Sequence, residues 1–267
     1  MIATLGVAGA LKISLPGIGA AWALPGNPDE LDFADPLVSF RARMRLQFSL
    51  EAEDVPRWHL STIFGVRPGE TPQPLFHTEG MEISYVTPLG NDRYRITTRT
   101  LTFFRDLNSW DLLEHWQNPY TGKRNTVEPN QIEFLDGVVF SPDGISFYND
   151  KVLPLGDSAQ LFHWRVAEPW LYMFKGTEFA GPMAEGAHFS CTLDDFLQAG
   201  ATNVPAQFTI TYIAPWPAWM NMTDEAGHVV WHATGHKLKT VDDLPDSYSD
   251  LALAGYSHML TAKPTES

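Results

Sequence analysis

A succession of short β-type segments, each bounded by turn residues, is the feature that most constrains the fold of this chain. Segments rich in Thr, Tyr, Ile, Val and Phe recur at a spacing typical of antiparallel sheets. Gly90, Asn91 and Asp92 separate two of them and predict a hairpin. Between residues 81 and 238, this pattern predicts strands over 81–86, 93–104, 131–140, 161–166, 171–179, 188–192, 207–213 and 228–238.

Residues 41–50 alternate strictly between polar and apolar side chains. Arg43 and Arg45 fall on one side of this pattern, and Met44 and Leu46 fall on the other. A period of two is typical of a half-buried strand, so we predict a strand here as well.

Two helices are predicted, and both are short. Thr192 has the character of an N-cap, with Asp194 and Asp195 in the first turn and Gly200 closing the helix. After Pro245, apolar residues recur at roughly helical spacing and predict a C-terminal helix that packs on the sheet.

These elements predict a mainly β protein. Closure into a single antiparallel, calycin-like β-barrel would remove exposed sheet edges most completely, and a β-sandwich is the alternative. No repeat or long linker divides the chain after residue 31, so we expect residues 31–267 to form one domain. A barrel of this size either fills its middle with side chains or leaves a pocket for a small ligand.

The charge balance excludes one class of partner. The chain carries 18 Lys and Arg against 32 Asp and Glu, a formal net charge of −14. Such a surface repels phosphate backbones, so nucleic acid is not expected as a partner. The one cysteine, Cys191, has no intramolecular disulfide partner, and we interpret it as a buried free thiol.

The first residues predict export. Residues 2–23 are apolar and small with Lys12 as the one charge, and Ala21-Trp22-Ala23 matches the small-x-small pattern of a cleavage site. Pro16 and the glycines that follow interrupt the apolar run, which favours cleavage over a spanning helix. We therefore expect residues 1–23 to be an export signal, no stable membrane span after its removal, and a periplasmic or secreted protein.

Several segments resemble a known family in combination. They are 110–122, 214–220, 227–238 and 242–245, and they include Asn-Pro-Tyr-Thr-Gly and Trp-His-Ala-x-Gly-x-Lys-Leu. The chain resembles the DUF1838 family, a set of mostly bacterial proteins of unknown function that are often exported. This resemblance extends over most of the chain, from about residue 40 to residue 245, and implies no particular reaction.

The histidines of the last predicted strand do not predict a metal site. His228, His232 and His236 are spaced by four residues. In a strand, the first two lie about 13 Å apart, too far to share one ion. No phosphate-binding loop, nucleophile elbow or paired-cysteine motif is present in the sequence, and we expect neither a metal nor a cofactor.

An acid–base site remains a hypothesis at this stage. His232 could meet His115 or Glu114 from another strand, and the group could then act as general acid and base. The turn Asn118-Pro119-Tyr120-Thr121-Gly122 lies beside these residues, and turn formation alone explains its composition.

Aromatic residues are abundant, and two interpretations stay open. The nine Trp, eight Tyr and sixteen Phe either pack a core or line a pocket for a small apolar or aromatic ligand. The candidate ligand-binding residues are Arg99, Trp110, Trp116, Asn118, Tyr120, Trp216, Trp219, Trp231, His236 and Lys237.

Three functions are compatible with these patterns. The preferred one is an exported β-barrel protein that binds a small hydrophobic or aromatic molecule in an aromatic-lined interior. The alternative is a cofactor-free acid–base enzyme, of the lyase, isomerase or hydratase type, acting in the same pocket. The third is a structural or interaction module with a filled core.

Overall fold

The fold is described from a computed structural model, which covers residues 31–147, 161–178 and 184–264. The predicted export signal, residues 1–23, lies outside the described residues.

Twelve strands make up most of the described chain. Their bounds are β1 Asp54–Val66, β2 Gln73–Gly90, β3 Arg93–Arg105, β4 His115–Gln117, β5 Arg124–Thr126, β6 Asn130–Ser141, β7 Gly144–Phe147, β8 Leu161–Ala167, β9 Trp170–Glu178, β10 Ala184–Thr192, β11 Gln207–Ala214 and β12 His228–Lys237. The expectation of a mainly β protein is therefore confirmed.

Ten of these strands form one antiparallel sheet in the order β7-β6-β3-β2-β1-β12-β11-β10-β9-β8, and β4 pairs separately with β5. The predicted hairpin joins β2 to β3, and Asn91 and Asp92 both take positive φ in its turn. β1, the first strand along the chain, pairs with β12, the last one, so that Arg57 lies opposite Lys237. Among the described residues no ladder joins β7 to β8, and closure of the sheet into a barrel stays a prediction.

The strand predicted over residues 41–50 is wrong, because most of this segment belongs to helix α1, Pro36–Gln47. The Asp35 carboxylate caps the helix by accepting a hydrogen bond from the backbone N–H of Leu37 at 2.7 Å, and Pro36 occupies the first turn. The alternation was misleading because Arg43 and Arg45 are themselves buried, so polarity does not mark an exposed face here.

Helix α1 packs between the two halves of the sheet. Met44 belongs to a buried cluster with Ile96 of β3 and Phe140 of β6. Leu46 belongs to a second cluster, which includes Phe189 of β10. The helix therefore packs against strands of both halves of the sheet.

Both helices predicted from the sequence are present, although α2 ends at Leu197 and is not closed by Gly200. Helix α2 spans Leu193–Leu197, and the Thr192 hydroxyl caps it by accepting from the N–H of Asp195. Helix α3 spans Asp246–Gly255 and packs on β2 and β3 through Tyr248, whose hydroxyl donates to the carbonyl of Leu101 at 2.8 Å. Within the described ranges, no helix has the length and apolar character needed to cross a membrane.

Candidate functional site

A cavity of about 470 Å³ lies between α1 and the sheet. Its volume falls within the range of small-molecule sites in proteins. Side chains from eight strands and from α1 line the cavity. The face of the sheet that borders the cavity is called the inner face. The lining residues are Arg43, Gln47, Phe48, Arg57, His59, Ser61, Glu82, Ile96, Thr98, Thr100, Ile132, Val138, Phe140, Lys175, Glu185, Phe189, Phe208, Ile210, Tyr212, Trp231 and Ala233.

Strand β1 supplies a row of polar groups to the cavity. Side chains alternate between the two faces of a strand, and Arg57, His59 and Ser61 therefore share the inner face. The Arg57 guanidinium forms an ion pair with the Glu82 carboxylate on the neighbouring strand. Burial lowers the pKa of Arg57 to about 10, which leaves it charged at neutral pH.

His59 occupies space that a glycine leaves open. A Cβ atom at Gly80, directly opposite on β2, would lie 2.6 Å from the His59 Nε2 atom and 2.8 Å from the Thr102 hydroxyl. Burial, with a smaller contribution from the nearby Arg57, lowers the pKa of His59 to about 4. The imidazole is therefore neutral at pH 7 and able to accept a proton or a hydrogen bond.

A second ion pair lies on the other half of the sheet. The Lys175 ammonium of β9 is 2.7 Å from the Glu185 carboxylate of β10. Burial lowers the pKa of Lys175, and Glu185 opposes this shift. Each carboxylate that lines the cavity is thus paired with a cation.

Arg43 reaches the cavity from α1. Its guanidinium carbon lies 4.7 Å from the centre of the Phe140 ring and 4.3 Å from the centre of the Phe162 ring. Its Nε–H donates to the Gln47 side-chain oxygen at 3.0 Å. Burial lowers the pKa of Arg43 to about 9, and the more distant Glu185 opposes this shift. Arg43 is therefore a buried cation held between two aromatic rings.

Most of the remaining cavity wall is apolar, although Thr98, Thr100 and Tyr212 also line it. The rings of Phe189 and Phe208 pack at a tilted angle with their centres 5.7 Å apart, and Trp231 and Ala233 add the face of β12. The cavity thus combines apolar side chains with a comparable number of polar and charged ones.

The predicted catalytic residues lie elsewhere. Trp231 and Ala233 line the cavity from β12, whereas His232 is exposed on the opposite face, where Nδ1 lies 3.2 Å from the Thr211 hydroxyl. His115 and Glu114 are exposed at and beside β4. None of these three side chains lines the cavity.

Six of the predicted ligand-binding residues do come together, in an aromatic cluster next to the cavity. Trp116 and Trp219 pack edge to face with ring centres 5.5 Å apart, and Trp216 and Trp231 belong to the same cluster. Tyr120 packs on Trp216 at 5.6 Å. The sixth residue is Asn118, which binds the backbone beside these rings. Within this group only Trp231 also lines the cavity.

Asn118 has a clear structural role in this cluster. Its side-chain amide donates to the Met220 carbonyl at 3.2 Å, and its side-chain oxygen accepts from the N–H of Tyr120 at 2.9 Å. Gly122 takes positive φ at the end of the turn. The Asn-Pro-Tyr-Thr-Gly segment thereby fastens the β4–β5 hairpin to the loop before β12.

The four remaining predicted residues lie apart from the cavity. His236 packs on Trp58 on the outer side of β12. Arg99 donates to the Thr261 carbonyl at 2.7 Å, which fixes the C-terminal segment. Trp110 is 39% exposed. Lys237 is buried and binds the end of α1.

The sequence analysis missed the cavity residues Arg43, Arg57, His59, Lys175 and Glu185. The signal was present in β1, where polar residues recur every second position next to apolar ones. In the described residues, no group of three or more His, Cys, Asp or Glu side chains is placed to hold a metal ion.

The described residues form a mainly β protein with one large antiparallel sheet and a cavity between this sheet and α1. The family model described as "Protein of unknown function (DUF1838)" matches residues 53–133 and 172–257, and the chain belongs to this family. No curated protein matches the chain.

Proposed function

We propose that this protein binds a small apolar or aromatic molecule in the cavity between α1 and the sheet. The observation that carries the proposal is the cavity itself, which has a volume of about 470 Å³ and is lined by aromatic and aliphatic side chains together with polar and charged ones. Such a volume and composition suit a ligand that leaves water for burial against aromatic and aliphatic side chains.

The proposal includes the barrel shape expected from the sequence. Phe140 of β6 and Lys175 of β9 line the same cavity. In the sheet order, six strands lie between β6 and β9. Arg43 contacts rings from β6 and β8, near the two ends of the sheet. Both observations support a sheet that curls around α1 as a calycin-like barrel.

A second candidate function is a cofactor-free acid–base enzyme acting in this cavity. The observation that favours it is His59, a neutral imidazole on the inner face near the Arg57–Glu82 pair. General bases work best when their pKa lies near the working pH, and a pKa of about 4 is below that optimum. Binding is therefore the function we place first.

Export remains part of the proposal. The apolar residues 2–23 and the Ala21-Trp22-Ala23 segment support cleavage before Leu24 and a periplasmic or secreted location. Sequencing the N-terminus of the secreted or periplasmic protein tests this, and a mature chain that still carries Ile2 would contradict it.

Binding is tested with 1-aminoanthracene, a neutral probe that becomes fluorescent in apolar surroundings. We expect saturable fluorescence and a raised melting temperature, because a ligand that binds the folded state stabilises it. Ala233→Trp places a large side chain in the cavity and should weaken binding about tenfold or more, since burial of the ring is then blocked.

The matched control is Thr234→Trp, which adds the same side chain on the opposite face of β12 and should leave binding unchanged. Thr98→Phe fills the cavity from β3 and serves as a second variant if Ala233→Trp lowers stability too far. Absence of saturable fluorescence in the wild-type protein would contradict the proposed function.

A further inference from the structure

The charges that line the cavity do not balance. Three cations face it, Arg43, Arg57 and Lys175, against the two carboxylates of Glu82 and Glu185. Arg57 is paired with Glu82, and Lys175 is paired with Glu185. Arg43 is therefore left over, in a protein whose formal net charge is −14.

Arg43 forms no ion pair with any of the described residues. The residue is 7% exposed, and no described carboxylate lies within ion-pair distance of it, although Glu185 is near enough to raise its pKa. Gln47 accepts from Nε, while no described group accepts from the two terminal amino groups. Phe140 and Phe162 contact the guanidinium, and cation–π contacts compensate part of its lost hydration.

We propose that the bound molecule is a monocarboxylate, with its carboxylate on the terminal amino groups of Arg43 and its apolar body along the aromatic wall of the cavity. This inference rests on the proposed binding function. A buried unpaired cation is costly, and an anion brought by the ligand removes that cost.

The planar edge of a guanidinium presents parallel N–H groups that match the oxygens of a carboxylate or of a phosphate. The charge decides between them, because a phosphate monoester carries about −1.5 to −2 charges at neutral pH and would exceed the one cation without a carboxylate partner. One carboxylate also brings the charge lining the cavity to neutrality, whereas a second would face Glu82 and Glu185 without a free cation. The expected ligand therefore carries one carboxylate on an aliphatic or aromatic body.

The test measures displacement of 1-aminoanthracene by matched pairs of molecules. The first pair is decanoate and decan-1-ol, and the second is naphthalene-2-carboxylate and 2-naphthylmethanol. We expect the acid to bind about tenfold or more tightly than the alcohol, the ratio typical of a hydrogen bond to a charged group.

Variants assign this preference to Arg43. In Arg43→Gln the affinity for the acid should fall to about that for the alcohol, and the affinity for the alcohol should not change. In Arg43→Lys the charge remains but the planar edge is lost, so an intermediate ratio is expected. The control is Arg41→Gln, which removes the same charge from α1 at a residue paired with Asp92 and should keep the wild-type ratio.

The outcomes separate the two proposals. If 1-aminoanthracene binds but acids and alcohols displace it equally, binding stands and the carboxylate inference is overturned. A preference for acids that persists in Arg43→Gln also overturns the assignment. If neither the probe nor any of the four molecules binds, the proposed function itself fails. The wild-type comparison needs no variant, so instability of Arg43→Gln leaves the inference testable.

Discussion

The Lys237 ammonium at the end of β12 lies 2.7 Å from the carbonyl oxygen of Arg45 in the last turn of α1. It also donates to the Phe48 carbonyl at 2.9 Å. Carbonyl groups at a helix C-terminus lack partners within the helix and carry partial negative charge. Lys237 therefore joins the sheet to α1, although burial lowers its pKa well below the usual value.

Replacing Lys237 by Met should destabilise the protein by about 1–3 kcal/mol, because it removes the donor that satisfies two buried carbonyl groups. Urea unfolding monitored by tryptophan fluorescence measures the change. Lys239→Met alters an exposed lysine of the same segment and should change stability by less than about 0.5 kcal/mol. Equal effects of the two substitutions would remove Lys237 from this role.

His59 should make the protein sensitive to acid. Its pKa is about 4 in the folded protein against 6.5 in the unfolded chain, so the unfolded chain takes up a proton first as the pH falls. Stability is therefore lost between about pH 6.5 and pH 4, by at most about 3 kcal/mol, and by less if solvent screens the ring.

His59→Gln should remove this part of the pH dependence, which urea unfolding at pH 7 and pH 4.5 measures. His236→Gln is the control, because His236 is exposed on the outer side of β12. Identical pH profiles for wild type and His59→Gln would show that His59 is not held neutral by burial.

Gly80→Ala should displace the His59 ring. The new Cβ would lie 2.6 Å from Nε2 and 2.8 Å from the Thr102 hydroxyl, so we expect a loss of about 1–3 kcal/mol from overpacking. Gly176→Ala is the matched control, since an added Cβ there meets no atom within 4 Å. A melting temperature of Gly80→Ala equal to that of Gly176→Ala would contradict the close approach.

Trp219 should matter for stability and not for ligand affinity. It packs against Phe76, Phe104 and Trp116 beside the cavity without lining it. Trp219→Ala should cost up to about 3–5 kcal/mol, the range for fully buried aromatic residues, because Trp219 itself is partly buried. Trp110→Ala, at a residue 39% exposed, should cost much less. A selective loss of 1-aminoanthracene binding in Trp219→Ala, at unchanged stability, would place Trp219 in the site instead.

The sequence predicted the elements whose local chemistry agrees with their environment. The β2–β3 hairpin followed from Gly90, Asn91 and Asp92, and α2 followed from its Thr192 cap. Strand β1 was not among the predicted strands, although Arg57, His59 and Ser61 alternate with apolar residues. These polar residues line the cavity, so the alternation does not mark a solvent-facing side of the strand.

Helix α1 was predicted as a strand because two of its charged residues are buried. Its Arg43 and Arg45 are buried, one in the cavity and the other donating to the Phe196 carbonyl at 2.7 Å. A pattern of hydrophobicity assumes that charged residues face water, and the cap formed by Asp35 was the local signal for a helix. The candidate site was missed because it is assembled from strands distant in sequence, which single-sequence patterns do not relate.

The pairing of β1 with β12 also determines when the fold can be completed during synthesis. One half of the sheet consists of β8 to β12, which pair in the order in which they follow one another along the chain. The other half consists of β1, β2, β3, β6 and β7, which also pair in chain order. Each half can therefore form its ladders without the other. The join between them waits for residue 237, and contacts of such long sequence separation form slowly. Until then β1 exposes an unpaired edge, the kind of edge to which strands of other chains add. The N-terminal half therefore presents a pairing edge for as long as β12 is missing, and this exposure ends only when the last strand arrives.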